Sequence, residues 1–218
     1  AQRLELEGEM RRGLELGEFA VHYQPIVRLS DESITGFEAL VRWNHPSRGL
    51  VMPCDFIPEA EESGQIVALG RLVLEQACRQ ASAWQGVAPD GCAPSKSENV
   101  SARQFRDPGL CDKVAEALAQ ASLDASALTL EITESTIMED SSAALERLQS
   151  LKALGVRLAI DDFGTGYSSL SYLRRLPVDV LKVDKSFVDG IAGGGQASEL
   201  ARVIVSIGQT LRLDTVAE

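Results

Sequence analysis

The feature that most constrains the fold is a regular alternation of strand and helix patterns in the second half of the chain. From residue 95 onward, short apolar runs alternate with segments in which apolar residues recur at helical spacing. The strand patterns lie at 97–102, 127–133, 156–163, 178–184 and 213–218, and the helix patterns at 109–121, 141–155, 167–176 and 198–211. One strand and helix together occupy about 30 residues, the usual size of a βα unit. The alternation predicts a parallel sheet covered by helices.

The first half of the chain begins with a different pattern. Two strand patterns, 19–29 and 33–43, are separated by only a few residues. A parallel crossover needs about a dozen residues or more, so these strands must form an antiparallel hairpin. Leucines and charges at helical spacing predict a helix over 1–17, and an apolar stripe predicts another over 65–85.

The number of strands indicates the fold class. Six or seven strands of this kind favour a closed barrel over an open doubly wound sheet, and no Gly-x-Gly-x-x-Gly motif follows the first strand. We therefore predict an α/β fold, a TIM-like (β/α) barrel with an antiparallel first strand, over residues 18–218. Residues 1–17 are interpreted as an N-terminal helix or linker. Because the last strand pattern runs to Glu218, we expect C-terminal elements of the barrel to be missing from this chain.

Charge and cysteine content limit the partners and the compartment. The formal net charge of −11 argues against a surface for DNA or RNA duplexes, which requires a basic footprint. The four cysteines show no Cys-x-x-Cys spacing and are expected to be reduced thiols in a cytoplasmic protein. No apolar run approaches the length of a membrane span, so any membrane anchor of a parent protein is expected to lie outside this segment.

Polar side chains interrupt or end each successive apolar strand. They are Glu38, Asn99, Glu131, Asp161, Asp162, Lys182 and Glu218. Any one of them has an ordinary explanation as a strand-end ion pair or a helix N-cap. The whole set is harder to explain in this way, because the carboxyl ends of barrel strands converge on one face and clustered carboxylates repel one another without cations. Carboxylate and amide oxygens suit Mg²⁺ or Mn²⁺, so the set predicts a metal site.

The adjacent pair Asp161 and Asp162 indicates the kind of metal site. Neighbours on a strand point to opposite sides, but at the end of a strand the chain can turn and direct both side chains to one place. One carboxylate can then bridge two ions while the other binds the second ion. Two ions together clamp a phosphodiester and generate a hydroxide nucleophile. Gly164 and Gly166 permit the sharp turn that follows.

These residues stand in motifs that resemble those of the EAL-domain family of cyclic-di-GMP phosphodiesterases. The signature Glu-x-Leu-x-Arg is present at 38–42. The other matching motifs are YQPIV at 23–27, NVSARQF at 99–105, EITES at 131–135, DDFGTGYSSL at 161–170, LKVDKSFV at 181–188 and TVAE at 215–218. The resemblance implies a two-metal hydrolysis of cyclic di-GMP to linear pGpG, which lowers the level of a bacterial second messenger.

The resemblance also implies a role for individual residues. The implied metal ligands are Glu38, Asn99, Glu131, Asp161, Asp162 and Glu218, with Asp161 bridging two Mg²⁺ or Mn²⁺ ions and Asp162 and Glu218 around the second ion or its waters. The implied substrate contacts are Gln24, Leu40 and Arg42. Lys182 would hold or polarise the attacking water, and Glu134 would brace the loop 163–169. The catalytic residues in this scheme are Glu38, Lys182, Asp162 and Glu218.

Partners and alternative functions follow from the same resemblance. It implies a homodimer and neighbouring sensor or GGDEF domains in the parent protein. A non-catalytic receptor for cyclic di-GMP is the first alternative, although such family members have usually lost the signature glutamate, a metal ligand or the loop, and this sequence has lost none of them. The second alternative is another barrel enzyme, such as an enolase-like one, in which Lys182 takes a carbon-bound proton. Metal-dependent turnover of cyclic di-GMP distinguishes the first function from both.

One strand departs from the family pattern. Lys96 and Glu98 precede Asn99 at positions where the family usually has small or apolar residues. A strand inside a barrel carries such charges only where they point outward or where the segment is irregular. We therefore expect one of these two arrangements for the strand that carries Asn99.

Overall fold

The computed structural model describes residues 2–85, 95–165, 170–189 and 196–217. The chain divides into two compact units, Ala1–Leu128 and Thr129–Glu218. Within the described residues, no helix is both long and apolar enough to cross a membrane.

The first unit is built around the predicted hairpin. Strand β1 (Phe19–Val27) pairs antiparallel with β2 (Ile34–His45), from Phe19 opposite Trp43 to Val27 opposite Ile34. The antiparallel start of the sheet is therefore confirmed. A short strand that the sequence did not indicate, β3 (Gly49–Val51), folds back on the end of β2.

The sheet of the first unit changes from antiparallel to parallel at β2. Strand β4 (Ser95–Asn99) lies on the other side of β2 from β1 and runs parallel to it, with Gly36 opposite Ser95 and Ala39 opposite Glu98. This register brings the carboxyl end of β4 beside the middle of β2, where the signature motif lies.

Helices cover this sheet. They are α1 (Gln2–Leu16), α2 (Pro53–Ser63), α3 (Ile66–Gln85), α4 (Ala102–Phe105) and α5 (Leu110–Ala121). The predicted helices over 1–17 and 65–85 are confirmed, whereas α2 was not predicted. The core where α1, α2 and α3 meet the hairpin contains Met10, Phe19, Trp43, Phe56, Ala60, Ile66 and Leu69. Phe19 stacks on Trp43 with ring centroids 5.1 Å apart.

The second unit repeats the predicted βα pattern. Its strands β5 (Leu128–Thr133), β6 (Arg157–Phe163), β7 (Val180–Val183) and β8 (Asp214–Ala217) lie parallel and in chain order. The helices are α6 (Glu134–Glu139), α7 (Ser141–Ala153), α8 (Leu170–Leu173), α9 (Lys185–Val188) and α10 (Gln196–Leu211). All four carboxyl ends therefore face the same edge of this sheet.

One predicted helix is shorter than expected. The pattern at 167–176 predicted a helix up to the residue before Pro177, but α8 ends at Leu173. The next residues form a turn, in which the Arg175 amide donates to the Tyr172 carbonyl and the Leu176 amide to the Leu173 carbonyl. A residue that precedes proline disfavours the helical conformation, which explains the early end. Residues 167–169 lie outside the described part of the chain.

Candidate active site

The hairpin presents the predicted substrate contacts on one face. Glu38, Leu40 and Arg42 are spaced by two along β2, so their side chains share a face of the sheet. Gln24 lies directly opposite Glu38 on β1 and therefore shares that face. The Arg42 guanidinium donates one hydrogen bond to the Val41 carbonyl and carries further N–H groups that suit a phosphate.

Glu38 and Asn99 are brought together at this face. The Asn99 amide nitrogen, Nδ2, donates to Glu38 Oε1 over 2.8 Å. The bond turns the amide oxygen of Asn99 away from the carboxylate, because the carboxylate takes the donor end. Carboxylate and amide oxygens are ligands that hard divalent cations take, so Glu38 and Asn99 supply donors of the right kind.

Lys96 and Glu98 lie on the opposite face of β4 from Asn99, as alternation along a strand requires. The side chains point away from Asn99 but remain inside the protein, since Lys96 is fully buried and Glu98 is 2% exposed. Lys96 Nζ lies 3.3 Å from the ring centre of Tyr23 and 4.2 Å from that of Trp84 on α3. Burial lowers the pKa of Lys96 to about 7 and raises the pKa of Glu98 well above its ordinary value.

In the second unit, Lys182 lies between two predicted metal ligands. Its Nζ is 2.6 Å from Glu131 Oε2 and 3.2 Å from Asp161 Oδ1. Glu131 is in β5, Asp161 in β6 and Lys182 in β7, and all three side chains are buried. Buried carboxylates require a positive charge nearby, and the Lys182 amino group supplies one here.

A bulge in β6 lies at the two adjacent aspartates and gives their side chains different neighbours. Ile160 pairs with Leu181 and Phe163 pairs with Val183, so β6 carries one extra residue between these pairs. Asp162 takes a left-handed backbone conformation, with φ of 53°. The strand therefore bends at the position where the sequence predicted a turn. Asp161 faces Lys182, whereas Asp162 lies near Asp184 and contributes to the lowering of the pKa of that carboxyl.

Sequence reasoning missed Asp184. This residue is the N-cap of α9, where its carboxylate accepts from the Ser186 amide at 3.0 Å. Hydrogen bonds from Ser186, and a smaller contribution from Asp162, lower the pKa of Asp184. The signal was present in the sequence, because an aspartate two residues before a serine at a strand end is typical of an N-cap.

Glu134 is placed against the loop that follows β6. The side chain is 3% exposed, and its Oε2 accepts a hydrogen bond from the Gly164 amide at 2.9 Å. Gly164 itself has φ of 100°, a conformation that favours glycine. The predicted bracing role concerns loop 163–169, of which the structure describes residues up to 165.

The predicted metal ligands, apart from Glu218, lie within the described residues. Across residues 2–85, 95–165, 170–189 and 196–217, no three His, Cys, Asp or Glu side chains form a group that could hold a metal ion. Four of the predicted ligands, Glu38, Glu131, Asp161 and Asp162, are carboxylates within these residues, whereas Asn99 is an amide and Glu218 lies outside the described part of the chain. The donors that are described, oxygens of Glu38, Asn99, Glu131, Asp161 and Asp162, are of the type that Mg²⁺ and Mn²⁺ bind.

Comparison with known proteins identifies the family. The model of the EAL domain matches residues 7–218. The chain belongs to the EAL domain family.

Curated relatives of this EAL domain include two proteins that are named as cyclic di-GMP phosphodiesterases. The chain is 45% identical over 218 residues to the bifunctional diguanylate cyclase/cyclic di-GMP phosphodiesterase MucR of Pseudomonas aeruginosa, and 43% identical over 217 residues to the cyclic di-GMP phosphodiesterase NbdA of the same organism. An uncharacterized signaling protein of Caulobacter vibrioides is 46% identical over 218 residues. All of the chain is matched in each case, but it spans only 31%, 28% and 26% of these relatives.

Solved EAL domains share the fold. A structure of the MucR phosphodiesterase in complex with c-di-GMP matches with a TM-score of 0.93 and 44% identity, covering 98% of this chain and 85% of that one. The EAL enzyme Bd1971 with cAMP and cyclic di-GMP matches with a TM-score of 0.92 and 31% identity, covering 99% and 59%. The predicted fold class, a TIM-like (β/α) barrel with an antiparallel first strand, is thereby confirmed.

Proposed function

We propose that this EAL domain hydrolyses one phosphodiester bond of cyclic di-GMP to give linear pGpG, using two divalent metal ions. The observation that carries the proposal is the buried contact of Lys182 with Glu131 and Asp161. Burying two carboxylates beside one lysine costs desolvation free energy. Clusters of buried ionisable groups of this kind are frequent at functional sites. Cyclic di-GMP as the substrate is supported by the relatives MucR and NbdA, which are both named as cyclic di-GMP phosphodiesterases.

The described residues fit the two ions by their chemistry. Glu38, Asn99, Glu131 and Asp161 carry oxygens of the kind that would hold the first ion, and Asp161, Asp162 and Glu218 would serve the second ion or its waters. Bound divalent ions neutralise the phosphodiester and lower the pKa of a bound water.

Individual side chains have distinct roles in this proposed reaction. Lys182 Nζ, held in place by two carboxylates, orients the attacking water through a hydrogen bond. Arg42 grips a phosphate through two parallel N–H bonds, since a guanidinium has the geometry for this. Gln24 and Leu40 contact the nucleotide on the same hairpin face. Glu134 keeps the backbone at Gly164 in place beside the aspartates.

The test is to incubate the purified protein with cyclic di-GMP and Mn²⁺ or Mg²⁺, with and without EDTA, and to separate the nucleotides by chromatography. We expect pGpG to form only with metal, and Glu38→Ala to abolish its formation by removing a ligand. Glu146→Ala, at an exposed glutamate, is the matched control and should retain wild-type turnover. Binding of cyclic di-GMP without any product would instead establish the receptor function.

The proposal also covers the compartment, the oligomeric state and the neighbouring domains. We propose that it works in the cytoplasm as a homodimer, beside sensor or GGDEF domains of a longer protein. Cys54, Cys78 and Cys111 form no disulfide with one another, which is in accord with a reducing compartment. MucR, named as a diguanylate cyclase as well as a phosphodiesterase, supports the neighbouring cyclase domain. Light scattering of the purified protein measures the oligomeric state directly.

A further inference from the structure

We propose that Gln104 is a positioning residue that holds Asn99, acting through Ser101, in the orientation needed to bind a metal ion. Asn99 is the last residue of β4, and Ser101 is the N-cap of the short helix α4, in which Gln104 is the third residue. The positioning is a property of the folded chain. Its importance for catalysis rests on the proposed function.

The contact between Ser101 and Gln104 is reciprocal. The Gln104 amide donates to Ser101 Oγ at 3.2 Å, and Gln104 Oε1 accepts from both the Ser101 amide at 3.2 Å and the Ser101 hydroxyl at 2.9 Å. Such a capping box fixes the backbone at the start of a helix. The fixed point lies two residues after Asn99. The intervening residue, Val100, is buried, so the chain between them is held on both sides.

Helix α3 is shaped to receive the Gln104 side chain. Gly70 lies in the interior of this helix, and a Cβ atom there would lie 1.8 Å from Gln104 Nε2 and 2.5 Å from Cδ. The Gln104 carboxamide therefore occupies the space that any other residue at position 70 would fill. Gln104 is buried, so the contact excludes water and leaves the side chain few alternative rotamers.

A neighbouring residue of α4 provides a contrast. Arg103 donates to the Glu61 carbonyl at 2.8 Å and to the Glu62 carbonyl at 3.3 Å, and so ties α4 to the end of α2. This contact stabilises the helix but does not involve Ser101. A comparison of Arg103 and Gln104 variants can therefore separate the loss of helix stability from the loss of Asn99 positioning.

Positioning matters because the Asn99 side chain is exposed and reaches Glu38 across the sheet. A shift of the Ser101 backbone changes the direction of the Asn99 amide, which donates to Glu38. Residues that orient metal ligands in this indirect way typically contribute about 10- to 100-fold in metal affinity or activity. We expect an effect of this size for Gln104.

The experiment compares Gln104→Leu and Gly70→Ala with Arg103→Ala as the control and Gln104→Glu as the conservative variant. Gly70→Ala displaces the Gln104 carboxamide from α3 while the sequence of α4 stays the same. Alanine is favoured over glycine in a helix interior, so α3 itself should keep its helical structure. The first readout is the side-chain amide resonance of Asn99 in ¹H–¹⁵N spectra of the metal-free protein, identified with Asn99→Asp. The second is the Mn²⁺ dissociation constant from calorimetry.

We expect Gln104→Leu and Gly70→Ala to move or broaden the Asn99 resonance and to weaken Mn²⁺ binding by roughly 10- to 100-fold. Arg103→Ala should leave both unchanged even if it lowers the melting temperature, and Gln104→Glu should retain both because a glutamate also completes a capping box. The proposal is overturned if the resonance and the Mn²⁺ affinity stay as in the wild type in folded Gly70→Ala. If the resonance moves but the wild-type protein neither binds Mn²⁺ nor hydrolyses cyclic di-GMP, the positioning stands and the proposed function fails.

Discussion

At the scale of single residues, Lys96 combines full burial with a position above two aromatic rings. Among the described residues, no group accepts a hydrogen bond from its Nζ. The rings of Tyr23 and Trp84 attract a cation, but this interaction is worth about 2 kcal/mol when desolvated, less than the loss of hydration of a buried ammonium. The balance explains why the pKa of Lys96 falls to about 7.

The lowered pKa of Lys96 determines how its contribution to stability varies with pH. Below pH 7 the folded and unfolded chains both hold the proton, and the full cost of burying the ammonium is present. Between about 7 and 10.5 the unfolded chain binds a proton that the folded chain does not, so the free energy of unfolding rises with pH in this window. The groups that face Lys96 are Tyr23, Cys78 and Glu98, and burial raises the pKa of each of them.

We therefore predict that Lys96→Met stabilises the protein. The expected gain is roughly 1–3 kcal/mol at pH 6.5, from removal of an unpaired buried polar group, and it should shrink as the pH rises toward 9.5. Thermal unfolding of both proteins at the two pH values measures this difference. Lys185→Met, at an exposed lysine, is the control and should have little effect at either pH. An equal gain at both pH values would contradict the titration argument.

Lys182 is expected to affect rate more than binding. We predict that Lys182→Ala lowers kcat by about 10²- to 10³-fold, as is usual on loss of a preorganised hydrogen-bond donor at the reacting centre, and changes KM much less. Steady-state kinetics with Mn²⁺ measure both constants. Lys185→Ala is the nearby control. A loss confined to KM would show that Lys182 holds the nucleotide and not the water.

At the scale of elements, the loop after β6 is packed against its own unit. A Cβ at Gly164 would lie 3.0 Å from both Phe187 of α9 and Ile204 of α10, in addition to the strain of a positive φ. We predict that Gly164→Ala destabilises the protein by more than about 1–2 kcal/mol and lowers activity, because the Gly164 amide moves away from Glu134. Gly49→Ala is the control, since it has the same kind of strain but no contact within 4 Å. Similar losses for both variants would exclude a role for packing.

The elements also show where prediction from sequence succeeds. Long periodic segments such as α3 and short apolar strands such as β5 were predicted nearly to the residue, because their patterns are local. Strand β3 is too short for an alternation to be visible, and α2 contains Pro58 in its interior, which normally argues against a helix. The bulge in β6 could not be predicted, because it depends on pairing with β7.

The candidate site was also predictable where it depends on local patterns and not where it depends on strand pairing. The sequence predicted which residues would lie at strand ends, since the carboxyl ends of parallel strands meet at one edge. It did not predict which residues contact one another. That Lys182 lies between Glu131 and Asp161, and that Asp162 contacts Asp184, depends on the register of β5, β6 and β7. Outward-pointing side chains were predicted as one option for Lys96 and Glu98, but their burial was not.

At the scale of the whole molecule, ligand binding should raise the free energy of unfolding and with it the Tm. In Lys182→Ala, which turns over slowly, cyclic di-GMP with Mn²⁺ at a hundred times its dissociation constant contributes about 2.7 kcal/mol. For a chain of this size we expect a rise in Tm of roughly 5–10 °C. Adding Arg42→Ala should remove most of the rise, while Arg28→Ala, at the hairpin turn, should not. An undiminished rise with Arg42→Ala would remove that residue from the substrate contacts.

The two faces of β4 have a consequence for how this domain can change over generations. Asn99 occupies one face, and the positions of Lys96 and Glu98 on the other can accept apolar residues without any change to the first. Single substitutions there give the fold a margin of stability. A chain with such a margin tolerates mutations near the substrate that would otherwise unfold it. Position 96 is therefore a point from which new specificities of this domain become accessible to selection.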